Sequence, residues 1–269
     1  TLYVANISAG NVMVVDTANR KLRAVIPVRP AWAPCLSRSP NGATTYVTTW
    51  DGRLCVIASA DNSYRLVQAP GFVFTIAAPS VRHPGLLYCL GGQDVRGSLQ
   101  PAFFSFDLSS NTITRRVQLS EAVWRLYVPA SRLELSPAED VAYIGWIDYR
   151  ADKGFGNLSV FDLAAFEPLV SAPMDCGVAD FAVDHATGKS YVVGLWSGGS
   201  SPGVLPIIEW DIRTRAITRR IPVSASSDHR AIVIDPATRV SLYVADGDHN
   251  WITKILIATG QEVQRLRFS

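Results

Sequence analysis

The chain has 269 residues, of which 48% are hydrophobic and 18% charged, with a formal net charge of +2. That composition supplies a sizeable core and excludes a disordered chain, and the near balance of charge leaves no electrostatic reason to expect nucleic acid. No run of about 18 apolar residues exists, so no membrane span is expected, and no charged-then-apolar leader precedes Thr1, whose place at the start in lieu of Met suggests a processed chain.

The length exceeds that of a typical single domain, which leaves two domains or one large repetitive domain. Four cysteines, Cys35, Cys55, Cys89 and Cys176, lack CxxC or Cys/His ligand spacing. They read as free buried thiols, not as a zinc ribbon or a dense disulfide framework.

The first phrase, "LYVAN" at 2–6, returns along the chain with its tyrosine in the middle of a β-rich triplet: Tyr3, Tyr46, Tyr88, Tyr143, Tyr191 and Tyr243. A fixed recurrence of this kind is the mark of a repeat architecture. After each tyrosine come a polar or glycine-containing loop and a second apolar run closed by a turn, often with Asp at its head, as at Asp16, Asp107, Asp162 and Asp211. Those Asp read as turn residues that accept hydrogen bonds from the backbone two positions on.

A third run, "LRAVIPV", "ITRRVQL" or "ITRRIPV", mixes apolar residues with arginine, which suits an outer strand with one wet face. A fourth, such as "FTIAAPSVRHPG" or "RAIVIDPATRV", leads into the next tyrosine. Helical periodicity is absent, and the runs are short, β-branched and bounded by Gly, Pro, Asn and Asp. The predicted fold is all-β: a β-propeller occupying 1–269 as a single domain, with six blades of four-stranded antiparallel sheets, or seven as the alternative. Lettering the strands A to D from the innermost outward, the chain starts at strand B, so its first blade is expected to be incomplete.

The phrases "LYVAN" (2–6) and "TYVTT" (45–49), followed by "VVDT"-like and "AVIPV"-like strands, resemble the YVTN-type propeller repeats of bacterial surface and periplasmic proteins. The resemblance runs through the chain in six passes and departs most at the insertions 91–101 and 146–157. It implies a propeller and leans toward a periplasmic or secreted location; it implies little about activity, since propellers host many functions. More distantly, such repeats resemble the heavy subunits of quinone-dependent amine dehydrogenases, which implies a protein-partner role as one possibility.

In such a blade the D-to-A and B-to-C loops share one face. Six of the seven Trp fall on those loops, whereas the opposite turns read as ordinary turn vocabulary. An aromatic and ionisable lining suits a small organic ligand, and Trp32, Trp50, Asp51, Trp146, Asp148, Tyr149, Arg150, Cys176, Trp196 and Asp246 are the candidate ligand-binding residues. The alternative for each Trp is packing between blades.

The sharpest departure among the repeats is "LYVADGDHNW" beside "SSDHR" near the end of the chain. Antiparallel pairing through the turn after Ile234 would set His229 opposite Gly247, between Asp246 and Asp248. Asp228, His229, Asp248 and His249 are therefore the candidate catalytic residues, because a carboxylate beside an imidazole fixes its tautomer and stabilises the imidazolium that a general base becomes. The competing reading is that these side chains only tie hairpin ends together.

Asp246, Asp248 and Asn250 also stand at the 1, 3, 5 spacing of a calcium loop, but the distal Glu is missing and no metal is assigned. Cys176 as a nucleophile with His229 as its base is a weaker possibility, and His83 and His185 read as turn residues. No cofactor motif is visible, so a catalytic version of this chain would perform hydrolysis, elimination or rearrangement by proton transfer. The other reading is a non-catalytic interaction scaffold.

Overall fold

The computed structural model of the chain describes residues 1–6, 8–30, 36–49, 51–95, 98–119, 132–148, 155–174, 177–195, 205–223, 229–246 and 250–267, with backbone alone at 94–95, 98–99, 146–148, 155, 195 and 229–230. Among these residues there is no helix, and none therefore long and apolar enough to cross a membrane.

Six antiparallel sheets follow one another along the chain, each a meander whose neighbours in sequence are neighbours in space. The first has three strands, β1 (Leu2–Asn6), β2 (Asn11–Asp16) and β3 (Lys21–Ile26). The second is β4 (Leu36–Arg38), β5 (Thr44–Thr48), β6 (Leu54–Ala58) and β7 (Tyr64–Val67). The third is β8 (Phe72–Pro79), β9 (Leu86–Val95), β10 (Ser98–Asp107) and β11 (Thr112–Gln118).

The fourth is β12 (Arg132–Leu135), β13 (Val141–Asp148), β14 (Phe155–Asp162) and β15 (Glu167–Met174). The fifth is β16 (Gly177–Asp184), β17 (Lys189–Leu195), β18 (Ile207–Asp211) and β19 (Ala216–Ile221). The sixth is β20 (His229–Ile234), β21 (Ser241–Asp246), β22 (Trp251–Leu256) and β23 (Glu262–Arg267). The fold class is the six-bladed β-propeller, with the first blade three-stranded as the sequence predicted.

The chain divides into two compact units, Thr1–Ala142 with Leu163–Glu167, and Tyr143–Asp162 with Pro168–Ser269. In the first, Tyr3, Val12, Val14 and Ile26 of sheet one pack on Val47, Cys55 and Ile57 of sheet two. Tyr46, Leu54 and Val67 of sheet two pack in turn on Phe72, Phe74, Leu87 and Phe104 of sheet three. In the second unit Tyr191, Val193, Ile207 and Ile221 of sheet five meet Ile232, Leu242, Val244 and Ile255 of sheet six.

The recurring tyrosine is thus a core residue. Five of the six are under a tenth exposed, and burial pushes the Tyr191 hydroxyl up to about 12. The outer strands behave as the Arg-rich runs predicted: β11 and β19 are exposed or half-buried along nearly their whole length.

Turn chemistry also matches. Oδ1 of Asp16 accepts from the backbone N–H of Ala18 and Asn19, Asp107 from Ser109 and Ser110, and Asp211 from Arg213 and Thr214. The side-chain bonds from Asn19 to Asp16 and from Ser109 to Asp107, with these backbone bonds, hold the first two carboxyls below their ordinary value, and for Asp211 the backbone bond from Thr214 does most of this.

Neighbouring sheets are joined by side chains that reach into the next blade's turns. Arg115 donates to the carbonyls of Leu163, Ala164 and Ala165 and lies over the Phe166 ring at 4.8 Å. Arg219, at the same step of its outer strand, donates to the carbonyls of Ile257 and Ala258. In the turn between β12 and β13, Glu139 is 8% exposed and sits at φ 48°, where the matching turns carry Gly42, Gly85, Gly188 and, in sheet six, Arg239 at φ 58°. Its carboxylate accepts from the Ser80 hydroxyl and from the N–H of Val81 and Arg82, which offsets a left-handed conformation costing about 1 kcal/mol.

Arg219 also closes a buried ionic cluster. Glu209, 3% exposed, accepts from Lys189 Nζ at 2.6 Å, Thr218 Oγ1 at 2.9 Å and Arg219 at 2.8 Å. Burial pushes the Glu209 carboxyl up, but the hydrogen bonds from Lys189 and Thr218 and the charge of Arg219 outweigh it, and the group ends below its ordinary value. A depressed carboxyl contributes stability above its unfolded value, roughly pH 4.3, and loses that contribution as pH falls through the lower folded value. Glu209→Gln should therefore cost about 3–5 kcal/mol at pH 7 and flatten the acid limb of stability below about pH 4. Urea titrations at pH 7 and pH 3 check this, and an equal loss at both values would contradict it.

Candidate functional site

Three of the six sheets carry a β-bulge at the same place in their innermost strand. Pairing slips by one residue between Phe74 and Ile76, between Val178 and Asp180, and between His229 and Ala231. A bulge puts two residues on one strand opposite one on its partner and shifts every pairing beyond it. In sheet six this corrects the expected register: His229 lies opposite Asp246, not Gly247, because Arg230 is the extra residue.

From Asp246 the register continues across the whole sheet. Asp246 faces Trp251 on β22, and Trp251 faces Arg267 on β23. One row of four positions, His229, Asp246, Trp251 and Arg267, therefore crosses sheet six at its loop end. The same row in sheet three is Phe74, Gly91, Ala102 and Gln118, with Phe74 and Ala102 each 1% exposed. In sheet five it starts Val178 and Gly194, with Val178 fully buried. On their first two strands sheets three and five place apolar residues and glycine in this row, and sheets one and two place the neutral polar Asn6 and Thr49 three residues after the tyrosine; sheet six places His229, Asp246, Trp251 and Arg267.

Gly91 shows why glycine is used in the ordinary version, since a Cβ there would lie 1.9 Å from the Val73 carbonyl oxygen. At the equivalent position of sheet six, Asp246 is accommodated at 9% exposure. Trp251 is half-buried, with the Arg265 guanidinium 4.5 Å from its ring centre and Arg265 paired in turn with Glu262. A carboxylate in so dry a place is costly to ionise unless polar groups face it. On the neighbouring strand the residue paired with Asp246 is His229, described by its backbone alone.

Of the other sequence candidates, Asp51 is half of a local brace. It receives Arg53 Nε at 2.7 Å and the Thr49 hydroxyl, and the bond from Arg53, with a smaller contribution from Thr49, lowers its carboxyl from the ordinary value. The adjoining Gly52 has φ 76°, and its carbonyl accepts the Phe74 N–H at 2.8 Å, tying this loop to the next sheet. Trp146 and Asp148 lie at the loop end of β13, where only backbone is described. Trp32, Trp50, Tyr149, Arg150, Cys176, Trp196, Asp228, Asp248 and His249 lie outside the described residues.

Cys55 and Cys89 are buried, and burial pushes the free Cys55 thiol up to about 12, which makes it inert. His83 and His185 sit in turns, the latter with its ring 5.7 Å from that of Tyr143. Among the described residues no group of three or more His, Cys, Asp or Glu is placed to hold a metal ion.

Two participants were not singled out by the sequence reading. Trp251 was one of many loop tryptophans until the register set it beside Asp246. Asp180 reads as an ordinary polar residue of an alternating strand, but it is 8% exposed and its Oδ2 accepts the Ile232 N–H at 2.9 Å, covering an amide of β20 next to the row. The available signal was internal comparison, since Ile76 and Ala231 occupy the matching positions.

No protein family matches the chain, and no curated protein does either. The fold by itself supports a binding or scaffold role.

The glycines of sheets three and five give a direct check on whether Asp246 belongs to the frame of the fold. Asp246→Gly should lower stability by about 1 kcal/mol, the usual cost of glycine in a strand. A loss of about 3 kcal/mol or more in chemical denaturation would make the carboxylate a structural tie.

Proposed function

We propose that the chain is a single YVTN-type propeller domain that binds a small organic ligand on the D-to-A and B-to-C loop side of sheets four to six. The observation that supports this best is the ionisable row in sheet six at positions that the inner two strands of sheets three and five fill with apolar side chains and glycine. Trp251, with Trp146 and Trp196 from the neighbouring loops, supplies flat apolar surface for a ring or polyol face. Arg150 is the handle for an anionic group on the ligand.

Asp246 beside His229 gives this site acid–base capacity, extended by Asp228, Asp248 and His249 from the loops that flank the row. The carboxylate stabilises the charged imidazolium, so His229 takes a proton from carbon or water and returns it to a leaving oxygen. The reaction class is hydrolysis, elimination or rearrangement, with the proton transfer contributing about 10²- to 10⁴-fold in rate.

A thermal-shift screen of small aromatic acids and polyols tests the binding reading. Ligands that raise the melting temperature of the wild type should lose that effect in His229→Ala and in Trp251→Ala. Hits that both variants retain in full would place the ligand elsewhere and overturn the proposal.

A further inference from the structure

A groove of about 450 Å³ lies along the outer strand of sheet three, a volume within the range of small-molecule sites. Its lining comes from Pro70 and Phe72, at the entry to β8, and from residues Thr112–Arg116 of β11. All of these belong to the first compact unit. Pairing of β11 with β10 slips between Ser105 and Phe106, which leaves Thr114 as an extra residue and twists this edge of the sheet. Arg116, opposite Phe104, holds its guanidinium 5.8 Å from the centre of the Phe72 ring and donates to Gln93 Oε1 at 3.2 Å. None of the lining residues is acidic.

Sheet six contains the same arrangement with one more part. Its outer pair slips between Lys254 and Ile255, one step from the position opposite the tyrosine, as in sheet three. Arg265 is therefore the counterpart of Arg116, and Glu262 the counterpart of Ile113. The Arg265 guanidinium also lies over an aromatic ring, that of Trp251 at 4.5 Å, and Glu262 supplies it with a carboxylate. Sheet three keeps a guanidinium over a ring but has isoleucine where sheet six has the carboxylate. Ile217 and Arg220 repeat that pair in sheet five, so the arginine alone makes no site; the Phe72 ring and the groove beside it do.

We propose that this groove binds a small organic carboxylate with an aryl or alkyl body, whose carboxylate takes toward Arg116 the part that Glu262 takes toward Arg265. The guanidinium fork matches a carboxylate with two parallel hydrogen bonds, each about twice as strong as the neutral bond to Gln93 that they replace. Pro70, Phe72 and Ile113 receive the apolar body, which leaves water on binding. No residue of the groove belongs to the ligand site proposed for sheets four to six.

The test titrates phenylacetate into the isotopically labelled 269-residue protein and follows its backbone amides by NMR. Saturable shifts should appear at Phe72 and at Thr112–Arg116. Phenylacetamide, which lacks the charge, and acetate, which lacks the body, should each bind at least about tenfold more weakly. Arg116→Gln, at an exposed position, should weaken phenylacetate binding at least about tenfold. Ile113→Glu, which gives sheet three the carboxylate of sheet six, should abolish it. No saturable shift at these amides with millimolar phenylacetate, equal affinity for the acid and the amide, or undiminished binding in either folded variant would each overturn the proposal. Equal affinity for acetate would overturn it as well and leave an adventitious ion only. Shifts confined to Asp246 and Trp251 would place the ligand in sheet six, overturning this proposal while supporting the other.

Discussion

Each small sheet has an apolar face that water must not see, and burying it against the next sheet is the constraint on which this fold depends. A small sheet of strands three to ten residues long cannot bury that face alone. The tyrosine of each second strand and the valines and leucines around it exist for that contact, which is why they recur while the loops between them vary. Side-chain reach from turn to turn adds direction to the stacking: Arg115 and Arg219 take carbonyls of the following blade, and Glu139 takes amides of the preceding one. None of these polar contacts would hold without the apolar face that brings the turns together.

That constraint also explains why the polar row of sheet six is informative. At its depth in the sheet, blades three and five supply Phe74, Val178, Gly91 and Gly194. A carboxylate at 9% exposure and a half-buried indole in the same row give up packing that the repeat otherwise provides. Replacing apolar contacts by ionisable groups costs free energy unless those groups pair, so the row departs from the packing of blades three and five. The Glu209 cluster provides the contrast. Glu209 is 3% exposed, its carboxylate receives both Lys189 and Arg219, and the effect is to join three strands and the next blade's turn.

Most of the architecture was legible in the sequence, because period, turn residues and alternation are local properties. The Asp-led turns, the wet outer strands and the three-stranded first sheet all followed from residues within about ten positions of one another. The register at the site did not. Arg230 carries no mark that it is a bulge residue, and nothing but comparison with Phe74–Ile76 and Val178–Asp180 reveals the shared slip that moves His229 from Gly247 to Asp246. Asp180 and Trp251 were hidden for a related reason: burial and cross-strand neighbours come from pairing over distances that composition does not encode. Asp51 illustrates the opposite limit, an acidic loop residue whose immediate neighbours Thr49 and Arg53 already engage its carboxylate.

The central claim is that Asp246 acts on His229 across the bulged pair. Titrating the His229 imidazole by NMR in the wild type and in Asp246→Asn measures that interaction directly. A facing carboxylate favours the charged imidazolium, so the account predicts a fall in the His229 pKa of roughly one unit or more when the charge is removed and the shape kept. An unchanged pKa would contradict it and leave the pair as a hairpin tie without chemistry.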